Sequence, residues 1–414
     1  MRILIVTQHY YPETVATGRI MTEVGDDLAG FGHAVTVLTG VPNHPSTFMS
    51  GQIELNPPRR VHMPNGVRVI RVPVYRSPKS AFARRSLTYG TFLLMSLLKG
   101  MTLSRFDCII AITPLPTCLS ALAISLAKRT PMILDLQDIW PEGAMIAGAL
   151  SPGPLYDLFE RLEYWAYDRA SFIASISNGF SRQLIDNGVP PEKIVFIPNG
   201  VDVDFIHETS PDLELARQYD LVDKFCVVFI GNHGLVQGLD CALDAAKLLA
   251  ACRDVRFVFV GEGVAKPELL KRVSQEKIGN CVFIPGQPRS RVPGLLCLGK
   301  INLVTLLPTE RFGKWIPSKT YESMASERPI VTNVPGETSE MVREADCGLA
   351  VTPGSPEAIS DAVLKLYGDE PLRRRLGLNG LQWVGTNATR ERVAERFRDC
   401  VERAVAHRRC RGVF

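Results

Sequence analysis

Short, unbroken apolar runs alternate with stretches of helical period along most of this chain, and the alternation then starts again. Arg2-Ile3-Leu4-Ile5-Val6 is followed by 18–31, where Ile20, Val24, Leu28 and Phe31 are spaced by three or four residues, and then by Ala34-Val35-Thr36-Val37-Leu38. That spacing puts the apolar residues on one helix face, so the segment predicts a βαβ unit. Further strands are predicted at 108–112, 132–135, 172–175 and 194–197. Strands without polar alternation need cover on both faces, which implies a parallel sheet between layers of helix. A second series follows, with strands at 225–230, 256–260, 281–284, 301–305 and 329–332 and a helix at 239–251. At 414 residues the chain exceeds one ordinary core, and 46% hydrophobic with 22% charged residues is a globular balance. Two doubly wound α/β domains are expected, 1–200 and 201–387. The turn Pro198-Asn199-Gly200 marks the join, and a charged helix over 388–414 packs back on the first domain.

Charge is distributed unevenly. Between 55 and 106 there are ten basic residues, Arg59, Arg60, Arg68, Arg71, Arg76, Lys79, Arg84, Arg85, Lys99 and Arg105, and no acidic one. The whole chain carries only +4, so the remainder is net acidic, and nucleic acid is a poor partner for it. Inside this stretch Phe92-Leu93-Leu94-Met95-Ser96-Leu97-Leu98 is apolar all round. Such a helix is either core or in contact with lipid. With the flanking basic residues it makes an anionic inner-membrane surface the expected partner of 55–106. No apolar run reaches the roughly 20 residues that span a bilayer, and the start lacks a signal-peptide core, so a cytoplasmic, peripherally attached protein is expected. The ten cysteines form no CxxC pair and no zinc-like cluster and read as small buried hydrophobes.

The richest polar motif is Ile316-Pro317-Ser318-Lys319-Thr320-Tyr321-Glu322. Pro317 suits the first position of a helix, whose amide end then faces a diphosphate, with Ser318 there and Lys319 adding a full charge. Glu322 shares a helix face with both, about 5 Å further along, where a carboxylate accepts hydrogen bonds from ribose hydroxyls. The bland alternative is a capped surface helix with a Lys/Glu pair. Asp138, in Asp135-Leu136-Gln137-Asp138-Ile139-Trp140-Pro141-Glu142, follows an apolar strand and emerges where open α/β sheets bind ligands. Asp138 is a candidate to orient an acceptor hydroxyl with help from Glu142, or else a helix cap above a packed Trp140. Asn43 and His44 lie in a loop after the second strand, within possible reach of the same ligand. Asp202-Val203-Asp204 spells Asp-x-Asp but follows a turn and has no further hard ligands nearby, so no metal is expected. There is no GxGxxG after the first strand and no GxxxxGK[ST].

These stretches, with Leu28-Ala29-Gly30-Phe31-Gly32-His33, Asn199-Gly200-Val201-Asp202 and the run from Gly231 to Asp240, resemble in order the retaining glycosyltransferases of family 4, glycosyl transferases group 1. The wording is most like the L-fucosamine transferases of O-antigen and capsule assembly. The resemblance implies a GT-B architecture, two facing Rossmann-like domains with a cleft between them. It also implies retention of configuration, no metal or cofactor, a UDP-linked N-acetylated amino sugar such as L-FucNAc as donor, and a lipid-linked saccharide as acceptor. It places Gly18, Gly231, Asn232, Gln237, Ser318 and Lys319 at the donor diphosphate and Glu322 at the ribose. Many relatives have Arg and Lys where this chain has Asn232 and Gln237, which shifts the leaving-group charge onto Lys319. The family's first glutamate is usually eight residues before the second; here Glu310 precedes Glu322 by twelve. Glu310 and Arg311 are therefore weaker candidates for the donor sugar. A UDP-sugar 2-epimerase of the same architecture and a non-catalytic nucleotide-sugar-binding subunit remain as alternatives.

Overall fold

The structure, a computed structural model, describes residues 1–13, 15–43, 56–76, 82–146, 150–207 and 209–411. The chain divides into two compact units, Met1–Pro198 with Val393–Phe414, and Asn199–Arg392. The strands of the first unit are β1 Arg2–Val6, β2 Ala34–Gly40, β3 Arg60–His62, β4 Arg68–Val72, β5 Cys108–Ile112, β6 Met132–Leu136, β7 Phe172–Ser175 and β8 Ile194–Phe196. They form one sheet in the order β3-β4-β2-β1-β5-β6-β7-β8. Only β3 runs antiparallel to its neighbour among the described strands of this sheet.

The unbroken apolar runs are explained by cover on both faces. Ile3, Ile5, Val35, Val37, Cys108 and Ile110 share a core with Ile20, Met21, Val24 and Leu28 of the helix Ala16–Gly30. Val393, Phe397, Cys400, Val401 and Ala404 of the C-terminal helix Arg390–Arg411 enter the same core. A buried side chain such as Phe397 or Val401 contributes about 1.5–3 kcal/mol relative to exposure, which is enough to hold this helix on the sheet despite its many charges.

The basic stretch is more structured than its composition implies. It contains β3 and β4, which its arginines conceal, and the helix Phe82–Thr102. Arg71, within β4, is buried and donates to the carbonyls of Pro58 (2.9 Å) and Tyr11 (2.8 Å). The helix is not apolar all round in effect. Thr88, Phe92, Ser96 and Gly100 face inward, while Leu87, Leu94, Leu98 and Met101 are exposed. Gly100 is required by a close crossing, since a Cβ there would lie 2.2 Å from Ile124 Cδ1. No helix among the described residues is long and apolar enough to cross a membrane.

The second unit repeats the design with β9 Phe225–Ile230, β10 Val255–Val260, β11 Cys281–Ile284, β12 Ile301–Val304, β13 Ile330–Thr332 and β14 Gly348–Ala350. These are all parallel, in the order β11-β10-β9-β12-β13-β14. In each sheet the first strand has later strands on both sides, so the order reverses between β1 and β5 and again between β9 and β12. Connections diverge from such a point and leave a crevice at the carboxyl ends of the strands. Asp202, the first acid of Asp-x-Asp, caps the short helix Val203–His207 by accepting from the Phe205 N–H at 3.0 Å.

Candidate active site

At the reversal in the second sheet, β9 ends at Ile230 and the chain turns through Gly231, with φ +149°, into the short turn Leu235–Gln237. Lys319, at the start of the helix Lys319–Ala325, reaches this turn. Its Nζ donates to Gln237 Oε1 and stands 3.9 Å from the centroid of the Phe229 ring. A Cβ on residue 231 would lie 3.3 Å from that ammonium, so glycine serves both the backbone angle and the approach of the lysine. Burial pushes the Lys319 pKa down to about 7, only partly offset by Glu322. The uncharged Gln237 is thus the partner that orients the lysine. Asn232 is exposed at the opening of the same loop.

One turn beyond Lys319, Glu322 Oε1 lies 2.8 Å from Arg289 Nη1. Arg289 sits on the turn Arg289–Arg291 after β11, with its guanidinium carbon 5.1 Å from the Phe205 ring centroid. Sequence reasoning missed Arg289; its position just beyond a strand's carboxyl end is the signal that would have raised it. Beyond β10, Glu262 accepts from the Gly286 N–H at 3.2 Å and pairs with Lys266 at 2.9 Å. His233, buried between Phe229 and Phe283, has its pKa lowered to about 3 by burial and by the charges of Lys266 and Lys319.

One expectation is corrected. Pro317 is not the first helical residue: the helix begins at Lys319, Ser318 is its N-cap with helical dihedrals, and the Ser318 side chain makes no capping bond. The turn is tightened instead by Thr320 N–H donating to Pro317 O at 2.9 Å. With seven residues and this late start, the helix supplies less end charge than expected, so the cation itself matters more. Glu310 and Arg311 stand exposed on the turn Glu310–Lys314, with no ion pair to Lys319 or Glu322 among the described contacts.

In the first unit, Asp138 follows β6. Its carboxyl packs on Gly143, where a Cβ would fall 2.5 Å from both oxygens, and Oδ1 has no hydrogen-bond partner. Burial, reinforced by Glu142, raises its pKa to about 8. Glu142 Oε2 accepts from Gln183 Nε2 at 2.9 Å. Nearby, Asp135 is raised to about 7 by burial although Gln137 donates to it, and burial holds Glu163 well above the carboxylate range. Glu163 also takes the Trp140 N–H at 2.9 Å. Asn43 is buried, with its amide committed to Gln8 and Val41. Gly18 packs 3.1 Å from Glu13 O by its missing Cβ, and His44 lies outside the described residues.

Residues 16–200 match the glycosyl transferase 4-like domain, and residues 224–369 match glycosyl transferases group 1. A relative in Escherichia coli (strain K12), WcaI, whose name places it in colanic acid biosynthesis as a glycosyl transferase, is 30% identical over 73% of this chain and 76% of its own length. The chain belongs to the group 1 glycosyltransferases. Among solved structures, sucrose-phosphate synthase from Thermosynechococcus elongatus superposes with a TM-score of 0.78 at 15% identity, covering 98% of this chain and 100% of its own. Anabaena HepE in complex with UDP-glucose gives 0.72 at 17% identity, covering 97% and 99%. At these identities the likeness shows the GT-B fold.

A glycosyltransferase must accommodate charge that develops on the departing group while it holds two polyhydroxylated ligands. The second unit offers a cation whose protonation an incoming anion would restore, with a carboxylate one turn away to accept from hydroxyls. The first offers carboxyl groups whose burial favours the protonated form, Asp138 above all, which can then donate a hydrogen bond.

Proposed function

We propose that this glycosyltransferase takes a UDP-linked sugar, an N-acetylated amino sugar such as L-FucNAc, and transfers it with retention to a lipid-linked saccharide in O-antigen, capsule or exopolysaccharide assembly. The observation that carries the reading is the convergence of Lys319, Gln237, Gly231 and Glu322 at the strand-order reversal of the second sheet. Lys319 compensates the leaving diphosphate beside Gly231, Asn232 and Ser318, and Glu322, steadied by Arg289, accepts from the ribose hydroxyls. The UDP-glucose complex of HepE and the colanic acid name of WcaI support the donor class and the pathway class. Asp138, as a neutral acid, donates to an acceptor hydroxyl with Glu142 beside it. The departing phosphate receives the acceptor's proton on the same face, so catalysis is positioning and charge stabilisation, without a metal. A thermal-shift panel of nucleotide sugars tests the donor: UDP-sugars should raise the melting temperature, because a ligand that binds only the native state stabilises it. A response to GDP-sugars alone would overturn the uracil assignment.

The acceptor reading includes membrane attachment. Leu87, Leu94, Leu98 and Met101 fall within an arc of about 60° on the helix Phe82–Thr102, with Lys99 in its last turn and Arg105 just beyond its end. Each basic residue near an anionic surface contributes about 1 kcal/mol, weakened by salt. Flotation with anionic vesicles should fall when salt rises and when Leu94 and Leu98 become Glu; binding indifferent to both would refute the docking face.

A further inference from the structure

Three phenylalanines stand opposite one another near the carboxyl ends of the second sheet's strands. The parallel registers pair Phe229 of β9 with Phe259 of β10, and Phe259 with Phe283 of β11. Residues paired in this way share a face of the sheet, so the three rings form a row. Phe259 stacks on Phe283 with centroids 4.9 Å apart, and Phe229 lies 6.5 Å from Phe259. His233, on the turn after β9, closes the row by meeting both ends, 5.9 Å from Phe229 and 5.9 Å from Phe283. Its backbone is fixed as well, donating to Glu262 O and accepting from the Ala265 N–H, each at 2.9 Å. Phe229 is fully buried, and its ring is braced by both Phe259 and His233.

An ordinary core ring meets apolar neighbours. This one carries the Lys319 ammonium 3.9 Å from its centroid, well inside the roughly 6 Å within which a ring face attracts a cation. Lysine heads otherwise keep to water while their stems cover apolar surface. Here the head turns onto the ring and toward Gln237 Oε1, two neutral partners. Neutral partners leave the full charge for an anion, where a carboxylate in their place would cancel it. We propose that Phe229 is a positioning residue for the transfer reaction, its ring face holding the Lys319 ammonium beside Gly231 while the donor diphosphate is bound. This rests on the reading that the second unit takes the donor, and it deepens that reading by naming what keeps the cation in place. The other charged and titratable groups around Lys319 are Glu322 with Arg289 at 2.8 Å, Lys266 with Glu262 at 2.9 Å, His207 with Glu327 at 3.1 Å, and His233, whose pKa of about 3 leaves it neutral.

The test is calorimetric titration of UDP into the full chain at pH 8.5 and at pH 5.5, for wild type and Phe229→Leu. Groups common to both proteins, and UDP itself, titrate alike in each and cancel in the ratio of affinities. A ring face on an ammonium held out of water shifts its protonation by about one pH unit. At pH 8.5, above the Lys319 pKa of about 7, UDP has to draw a proton onto the lysine, and Phe229→Leu should bind about tenfold more weakly. At pH 5.5 the lysine is already protonated, and the two proteins should agree within about twofold. An equal loss at both pH values would make Phe229 a core residue alone, and full affinity at pH 8.5 would remove the ring from the mechanism. Phe229→Met, whose flexible chain fills irregular gaps and has no ring face, gives the same reading should Phe229→Leu not fold. A wild type that binds no UDP at either pH strikes the donor reading and this proposal together, whereas the two preceding outcomes strike the proposal alone.

Discussion

The two units share a construction and differ in the sign of what they bury at the ends of their strands. Behind β6 the first unit encloses acids, Asp135 raised to about 7, Asp138 to about 8 and Glu163 well above its ordinary value, all chiefly by burial. Around β9 the second encloses bases, Lys319 lowered to about 7 and His233 to about 3, by the same cause. Exclusion of water penalises whichever form is charged, so both crevices drift toward neutrality from opposite directions. A neutral amine waiting beside a glycine turn gains its proton when an anion arrives. A neutral carboxylic acid brings no positive charge to an anion and can donate to a hydroxyl. The contrast is a physical ground, independent of the family, for the proposal that the anionic substrate belongs to the second unit.

The contrast is most exposed at Lys319. Lys319→Met should lower turnover by roughly 10²- to 10³-fold, the range for loss of a group that stabilises developing charge, and should abolish the thermal shift given by a UDP-sugar. The unliganded protein should not be less stable at pH 7, because the folded state already disfavours the ammonium. The folded pKa lies below the ordinary 10.5, so the unfolded chain holds more protons between about 7 and 10.5 and stability due to this residue rises with pH across that window. UDP binding at pH 8.5 should accordingly take up close to one proton, read by calorimetry in two buffers of different ionisation enthalpy. Turnover within a few-fold of wild type, or no proton uptake, would dissolve the comparison.

Arg289 provides a smaller effect within the same unit. Arg289→Ala leaves Glu322 without its charged partner, and a charge-assisted bond of about 1.5–3 kcal/mol predicts roughly a tenfold rise in donor KM with little change in turnover. A fall in turnover with KM unchanged would instead put Arg289 at the reacting centre.

How much of this was readable in advance follows from which interactions are local. Strands such as Phe225–Ile230 announce themselves, since cover on both faces forces apolar residues throughout. β4 does not, because Arg68 and Arg71 interrupt the run and the burial of Arg71 depends on carbonyls of Pro58 and Tyr11 that no periodicity reveals. Lys319 and Glu322 were legible because both lie within one turn of one helix. Gln237 was named through the resemblance, but its bond to Lys319 was not, and Arg289 was missed, both being brought there by the winding of β9 and β11. The start of that helix was misplaced by reading Pro317 as its first residue. Nor does sequence reveal that the Asp138 pKa is raised, which is a consequence of enclosure.

That last point gives the finest test of the comparison. The folded pKa of Asp138 is raised, so its stabilising contribution is present below the ordinary value of 3.8 and is lost as pH rises through about 8. Asn resembles the protonated acid in shape and cannot ionise. Asp138→Asn should therefore melt like the wild type near pH 4, gain on it steadily from there to about pH 8, and be more stable by several degrees near pH 9, where the wild type has been forced to bury a charge beside Glu142. The slope should flatten without vanishing, because Asp135 and Glu163 are raised as well. Since Lys319 contributes a slope of opposite sign over the overlapping window, the cleanest measurement compares Asp138→Asn with its parent in a Lys319→Met background. A pH profile unaffected by the substitution would mean that Asp138 is ionised in the folded protein, and the first unit would lose its claim to a neutral, hydroxyl-directed crevice.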